Sequence, residues 1–361
     1  MTEVDATEPG VERIAVLRAN ALGDFVFCVP ALEALRAAYP EAEITLLACP
    51  WHAGFLAHRP GPVDRVVVVP PSRGVREEPG RRDDPSELRA FFERMQAQRF
   101  DLALQMHGGG RWSNPFVLRL GARLTAGSST PDAAPLDRCV PYVYFQSETA
   151  RYLEIAGLVG AAPVTITPAV AVTARDLAEV ADVLDPSPFA VLHPGAGALR
   201  RRWPPERFAA VGDALAALGL RVVVTGSGPE RPVVDAVLRA MRAPAVDGCD
   251  ALSLGGLAGL LSLAEVVVSN DSGPLHLAGA VGAPTVGIFW VGNLITASPL
   301  TRARHRPLAS FRVTCSICGA ENIEQSCGHE ASFVTDVPLD KVLEAALELV
   351  AAGRSTERVP R

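Results

Sequence analysis

Short apolar runs alternate with longer segments of helical spacing along nearly the whole chain, and that alternation constrains the fold more than any other feature. Residues 13–18, 43–48, 65–69 and 101–105 read as strands, with helical segments at 25–39 and 87–98. A second series follows, with strands at 189–192, 221–225, 266–269 and 285–290 and helices at 206–218, 257–263 and 275–281. Strands that alternate with helices predict parallel sheets. A Pro-, Ala- and Val-rich span at 161–172 separates the two series, and 361 residues exceed what one ordinary core accommodates. The expectation is therefore an α/β protein of two domains, 1–172 and 173–361. A last amphipathic helix at 339–352 is expected to pack back across the first domain. Residues 123–144 give no clear secondary-structure reading, and a helix follows around 149–158.

Hydrophobic residues make up 48% and charged residues 20% of the chain, which excludes a disordered protein. The net charge is −6, and no basic stripe with interleaved aromatics occurs, so nucleic acid is not an expected partner. Lys341 is the only lysine among the 34 basic side chains, so arginine is expected at positions where lysine would otherwise serve. The first dozen residues contain neither a basic n-region nor an apolar h-region, and no signal peptide is expected. Residues 272–301 carry no formal charge, but Pro274, Pro284 and Pro299 interrupt any single spanning helix. These features predict a cytoplasmic protein, with peripheral membrane association left open.

In open α/β sheets, ligands bind beyond the carboxyl ends of the strands, where helix N-termini offer free N–H groups to anions. Three loops combine that position with suitable chemistry. In Asn20-Ala21-Leu22-Gly23-Asp24, Gly23 permits a tight turn at the start of a helix. Asp24 there reads either as a general base for a hydroxyl proton or as a helix N-cap. His193-Pro194-Gly195-Ala196-Gly197 leads into Arg200-Arg201-Arg202. Its glycines allow backbone approach to phosphate, and its arginines supply forked donors, the alternative being a solvated basic loop. Ser269-Asn270-Asp271-Ser272-Gly273-Pro274-Leu275-His276 opens an apolar helix. The amides of Ser272 and Gly273 are candidates for phosphate. Asp271 reads as a loop brace or a sugar contact, and His276 as a phosphate-facing or a satisfied histidine. Gly226-Ser227-Gly228 also follows a strand, but Arg231 stands where a dinucleotide fingerprint needs its third glycine. A dehydrogenase is disfavoured on that count. Thr225 precedes this loop, and Glu230 within it can accept from ribose hydroxyls.

Taken together these loops resemble glycosyltransferase family 9, the ADP-heptose:lipopolysaccharide heptosyltransferases and their relatives. The resemblance rests on RIAVLRANALGDFVFCVPALEALRAAYP, HPGAGALRRRWPPERFAAVGDAL, VVVTGSGPER and VVVSNDSGPLHLAGAVGAPTVGIF, in that order. It implies a GT-B fold, two Rossmann-like domains facing a central cleft, with the acceptor bound by the first and the nucleotide-sugar by the second. It further implies an inverting, metal-independent transfer of heptose from ADP-heptose in lipopolysaccharide biosynthesis. Asp24 matches the family's aspartate base. Arg201 falls where the family usually has a lysine against the donor phosphates. Gly195, Gly197, Arg200, Thr225, Glu230, Leu252, Asp271, Ser272, Gly273 and His276 match donor-binding positions, and Asn20, Gly23 and His107 acceptor-binding ones. The expected partners are a nucleotide-diphosphate sugar and a glycan, glycolipid or small-molecule acceptor, and no cofactor is expected for catalysis. The alternatives are a GT-B enzyme using a UDP-, GDP- or dTDP-sugar, and a non-catalytic nucleotide-sugar-binding module.

Seven cysteines include a C-terminal group, Cys315-x2-Cys318-x8-Cys327-x-His329. Four soft ligands at this spacing form the inventory of a structural zinc site, the alternative being reduced, unliganded thiols.

Overall fold

The computed structural model describes residues 6–323 and 327–356. The chain divides into two compact units, Met1–Ala171 and Val172–Arg361. In the first, β1 (Arg13–Leu17), β2 (Glu43–Ala48), β3 (Arg65–Val68), β4 (Leu102–Gln105), β5 (Leu124–Ser129) and β6 (Arg138–Pro141) form one sheet, ordered β3-β2-β1-β4-β5-β6. The second unit contains β7 (Phe189–His193), β8 (Arg221–Gly226), β9 (Ala245–Cys249), β10 (Val266–Asn270), β11 (Thr285–Trp290) and β12 (His305–Ser310), ordered β12-β11-β10-β7-β8-β9. Every pairing in both sheets is parallel. Numbered within its own unit, each sheet has the order 3-2-1-4-5-6 of the doubly wound Rossmann arrangement. The two units are the Rossmann-like pair of the GT-B class.

Strands buried on both faces read as continuous apolar runs. Ile14, Ala15 and Val16 on β1, and Val266, Val267 and Val268 on β10, are fully buried. Register then fixes which loops emerge together. Leu17 lies level with Gln105 of β4, so the loops carrying Asn20 and His107 leave the sheet side by side. Ser269 lies level with His193 of β7, which does the same for the glycine–arginine loop and the Asn270 loop. In each sheet these neighbours flank the point where strand order reverses.

Residues 123–144 hold β5, rich in Thr, Ser and Gly, and the short, half-exposed β6 (RCVP), and both give a weak apolar signal. The Asp137 carboxylate joins them by accepting from the amide and hydroxyl of Thr125 at 2.8 and 2.7 Å. The uncharged span 272–301 is a buried helix (Gly273–Ala280), a turn, β11 and a short helix (Val291–Ala297). No helix among the described residues is long and apolar enough to cross a membrane. The last helix, Leu339–Thr356, contributes Val342, Ala346, Leu349 and Val350 to a core shared with β10 and β11 of its own unit.

Candidate active site

Asp24 is the third residue of the helix Leu22–Ala38, whose N-cap is Ala21. The N-cap alternative is thus displaced by three positions, although Asp24 does support the helix start, accepting from the Ala21 amide at Oδ2 (3.2 Å). Its other oxygen, Oδ1, accepts from Nη2 of Arg18 at 2.8 Å. The Arg18 side chain is 2% exposed and that of Asp24 33%, so a buried cation presents a carboxylate that solvent can reach. Arg18 also donates to the Asp24 carbonyl (3.1 Å) and the Met106 carbonyl (2.8 Å), and lies over the Tyr152 ring at 4.7 Å. Glu148 stands 3.8 Å from Arg18 and bonds both Arg151 and the Tyr152 hydroxyl. Burial drives the Tyr152 phenol well above its ordinary pKa, so Tyr152 is the donor in that pair.

Sequence reasoning did not find this network. Arg18 read as the end of an apolar strand, and Glu148 and Tyr152 lie far along the chain on a helix (Glu148–Gly157) that packs against Leu22–Ala38. The available signal was a lone arginine closing a buried strand six residues before the aspartate.

Beside this edge, Ala19, Asn20, Val75, Arg76, Glu77 and His107 line an open cavity of about 390 Å³. Asn20 is exposed, Gly23 is buried in the first helical turn, and His107 is 8% exposed. Burial, then the charge of Arg18, lowers the His107 pKa to about 3, leaving a neutral ring whose Nδ1 accepts from the Ala19 amide at 3.3 Å. The loop carrying Arg76 and Glu77 had no sequence-based assignment.

In the second unit the expected donor residues converge on the edges of β7, β8 and β10. The buried Asp271 carboxylate takes Nη1 of Arg201 at 2.9 Å on one oxygen and Nε2 of His276 at 3.0 Å on the other. Burial pushes the Asp271 pKa up, but His276 and Arg201 outweigh it and hold the group below the usual carboxylate range. Asp271 therefore braces the loop and His276 is a satisfied histidine. Asn270 accepts from the Trp203 amide (3.0 Å) and donates to the Pro194 carbonyl (2.7 Å), tying all three loop segments together.

The three arginines have different environments. Arg202 is held by the Ala196 carbonyl through Nε and Nη2, and Arg200 lies 5.6 Å from the Trp290 ring. Arg201 is 26% exposed and uses one Nη on Asp271, so most of its fork remains available. Ser272 is the extended N-cap of Gly273–Ala280, with Pro274 inside the first turn. The Ser272 and Gly273 amides precede the helix's own ladder, as a phosphate contact requires.

Thr225 Oγ1 and His193 Nδ1 lie 3.2 Å apart. Glu230 caps the turn by accepting from the Ser227 amide and hydroxyl, each at 2.9 Å. Gly195 lies against this cap: a Cβ there would stand 2.1 Å from Glu230 Oε1 and would push the carboxylate aside. Gly197 is exposed, and Leu252 is half-buried beyond β9 on the same edge of the sheet, next to Ser253, the N-cap of Leu254–Leu263.

The ligand atoms of Cys315, Cys318, Cys327 and His329 lie within 4.8 Å of one another. A glycine in the left-handed region, Gly319 (φ 73°), lets the chain turn back so that its amide reaches the Cys315 carbonyl at 2.9 Å.

The sequence profile of glycosyltransferase family 9 (heptosyltransferase) matches residues 88–318. Lipopolysaccharide heptosyltransferase 1 of Pseudomonas aeruginosa is 25% identical over 78% of this chain and 79% of its own. Across the curated relatives, matches span between 34% and 79% of those proteins' lengths. Among solved structures, a family 9 glycosyltransferase from Veillonella parvula superposes with a TM-score of 0.78 at 21% identity, covering 97% of this chain and 99% of that one. The ADP-heptose lps heptosyltransferase II of E. coli does so at 0.74 and 18% identity, covering 95% and 99%. On the profile match, which spans well over half its length, the chain belongs to glycosyltransferase family 9.

Proposed function

We propose that this protein is an inverting glycosyltransferase that moves heptose from ADP-heptose to an acceptor hydroxyl. The observation that carries the reading is the Arg18–Asp24 pair at the switch point of the first sheet, a carboxylate oriented by a buried cation yet open to solvent. The equivalent point of the second sheet offers Arg201 and the Ser272 and Gly273 amides. In this reading Asp24 takes the proton of the acceptor hydroxyl as its oxygen attacks the anomeric carbon. The bond from that carbon to the diphosphate oxygen breaks, and the configuration inverts. Arg201 and the two amides receive the charge that grows on the leaving diphosphate.

The chain's own residues account for each step, so the reading requires no cofactor and leaves the cysteine cluster outside the chemistry. The cavity beside Asn20 and His107 is assigned to the acceptor. A cytoplasmic enzyme that meets a glycolipid acceptor would work at the membrane surface. Heptose and adenine are supported by the family description and by the named activity of the E. coli neighbour.

The test is a thermal-shift screen of ADP-, GDP-, UDP- and dTDP-sugars, followed by mass spectrometry of candidate acceptors. ADP-heptose is expected to raise Tm and yield a product one heptose heavier. A shift with another base transfers the reading to a different nucleotide donor. Binding without any product in the presence of glycolipid, glycan and small-molecule acceptors favours a binding module.

A further inference from the structure

From Phe311 to Pro338, between β12 and the last helix, the described residues contain no helix or strand beyond the isolated bridge of Thr314 with Glu321. So long an irregular stretch inside a compact unit needs a fastening other than a backbone ladder. Four ligand atoms gather in it. A tetrahedral site with bonds of about 2.0–2.3 Å needs ligand atoms roughly 3.3–3.8 Å apart, and the observed separations of at most 4.8 Å are within small side-chain adjustments of that. Three sulfurs and one imidazole are the donor set of closed structural zinc sites.

The surrounding contacts suit the same reading. The Ile317 amide points at Cys315 Sγ (3.4 Å), and the Asn322 side chain donates towards Cys327 Sγ (3.5 Å) while accepting from the Cys327 amide (3.1 Å). Outer donors of this kind orient metal-bound ligands.

Both ends of the stretch stand on the arginine loop or its supports. Three residues after His329, the Ser332 hydroxyl donates to the Arg202 carbonyl (2.7 Å), and the Phe333 amide donates to the Arg200 carbonyl (2.7 Å). The Val337 carbonyl accepts from the Trp203 indole (3.0 Å) and from Arg207 (2.9 Å). Three residues before Cys315, the Arg312 carbonyl accepts from the indole of Trp290, the ring beneath Arg200.

We propose that Cys315, Cys318, Cys327 and His329 bind one zinc ion, which braces Ser332–Val337 against the Arg200–Trp203 backbone and so sets the position of the arginine loop. Binding displaces the thiol protons to solvent. That the braced loop receives the donor phosphates rests on the function proposed above; the zinc and the brace do not.

Elemental analysis of the full chain, purified without chelator, is expected to find about one zinc per chain. Absence of zinc, or iron in its place, overturns the assignment. Cys318 is exposed, so Cys318→Ser should lose zinc while the far-UV spectrum is unchanged. In that variant, hydrogen exchange at the amides of Arg201, Arg202 and Phe333 is expected to accelerate roughly tenfold, with the amides of β1 and β4 unmoved. Zinc lost with those amides still protected overturns the brace, and because this readout needs no ligand it decides the question whatever the donor is. ADP titration then reads the consequence as roughly tenfold weaker binding in the variant. A wild-type chain that fails to bind ADP counts against the proposed donor and leaves the zinc and exchange results standing.

Discussion

Arg18 and Asp24 hold one another through two separate contacts, guanidinium to carboxylate at 2.8 Å and guanidinium to the Asp24 carbonyl at 3.1 Å. One side chain therefore fixes both the backbone and the acid group of the candidate base. Asp24→Asn keeps the shape and removes the proton acceptor. Transfer is expected to fall by about 10²–10⁴-fold while ADP affinity is unchanged. Steady-state kinetics and calorimetry on the same preparation check this, and wild-type turnover in the variant would remove Asp24 from the reaction.

Arg18 is a positioning residue in this scheme. Lysine cannot reach the Asp24 carboxylate, the Asp24 carbonyl and the Met106 carbonyl at once. Arg18→Lys is expected to lower kcat by about tenfold or more and to leave the donor KM nearly unmoved. Arg18→Met strands the acid groups beside a buried apolar side chain and should cost about 3–5 kcal/mol in urea unfolding. A kcat at the wild-type level in the lysine variant would refute the positioning role.

Asp271 joins Arg201 to His276, and its pKa lies below the ordinary carboxylate value. A depressed folded-state pKa stabilises the fold above the unfolded value of about 3.9, and that stabilisation is lost as pH falls through the lower, folded value. Asp271→Asn is expected to be less stable than wild type by roughly 1–3 kcal/mol at pH 7. The gap should narrow only below about pH 4. Unfolding curves from pH 7 to pH 3 test this, and a gap that is constant across the range would contradict it.

His52 is fully buried, stacks on Trp51 at 3.5 Å and meets Phe25 edge-on at 5.3 Å, with neither ring nitrogen in hydrogen-bond geometry. Burial lowers its pKa to about 3. The unfolded ring takes up a proton near pH 6.5 and the folded one does not, so stability is whole above pH 6.5 and drains away as pH falls towards the folded value, at about 1.4 kcal/mol per pH unit. His52→Phe removes both the orphaned nitrogens and this drain. It is expected to equal or exceed wild type at pH 7 and to lead by a further kcal/mol or so at pH 5.5. An identical acid slope in the two proteins would show that His52 does not carry it.

Much of this architecture can be read from the chain because the central strands are buried on both faces and must be apolar. The notable exceptions lie where burial is partial. β5 (LTAGSS) and β6 (RCVP) hold few large apolar side chains and are joined by Asp137–Thr125 contacts, which no periodicity reports. The short edge strand β9 (AVDGC) is half-buried, and neither it nor the helix Arg231–Ala240 ahead of it had a sequence-based assignment. At the candidate site the loops were legible, since glycine, arginine and aspartate beyond a strand have few other uses. Their internal partners were not. Arg18 with Glu148, and Arg200 with Phe333, join positions more than a hundred residues apart, and only register and helix packing bring them together.

The seating of the last helix has a consequence for biosynthesis. The inner surface of the second sheet is covered in part by Val342, Ala346, Leu349 and Val350, so that half cannot bury its apolar side until residue 350 has left the ribosome. The first half has its whole sequence available once residue 171 has emerged. During the interval β7, β10 and β11 would present bare valine and isoleucine to solvent, and a nascent chain stalled before residue 339 should be bound by chaperones or aggregate, whereas one stalled shortly after residue 171 should already be protease-resistant.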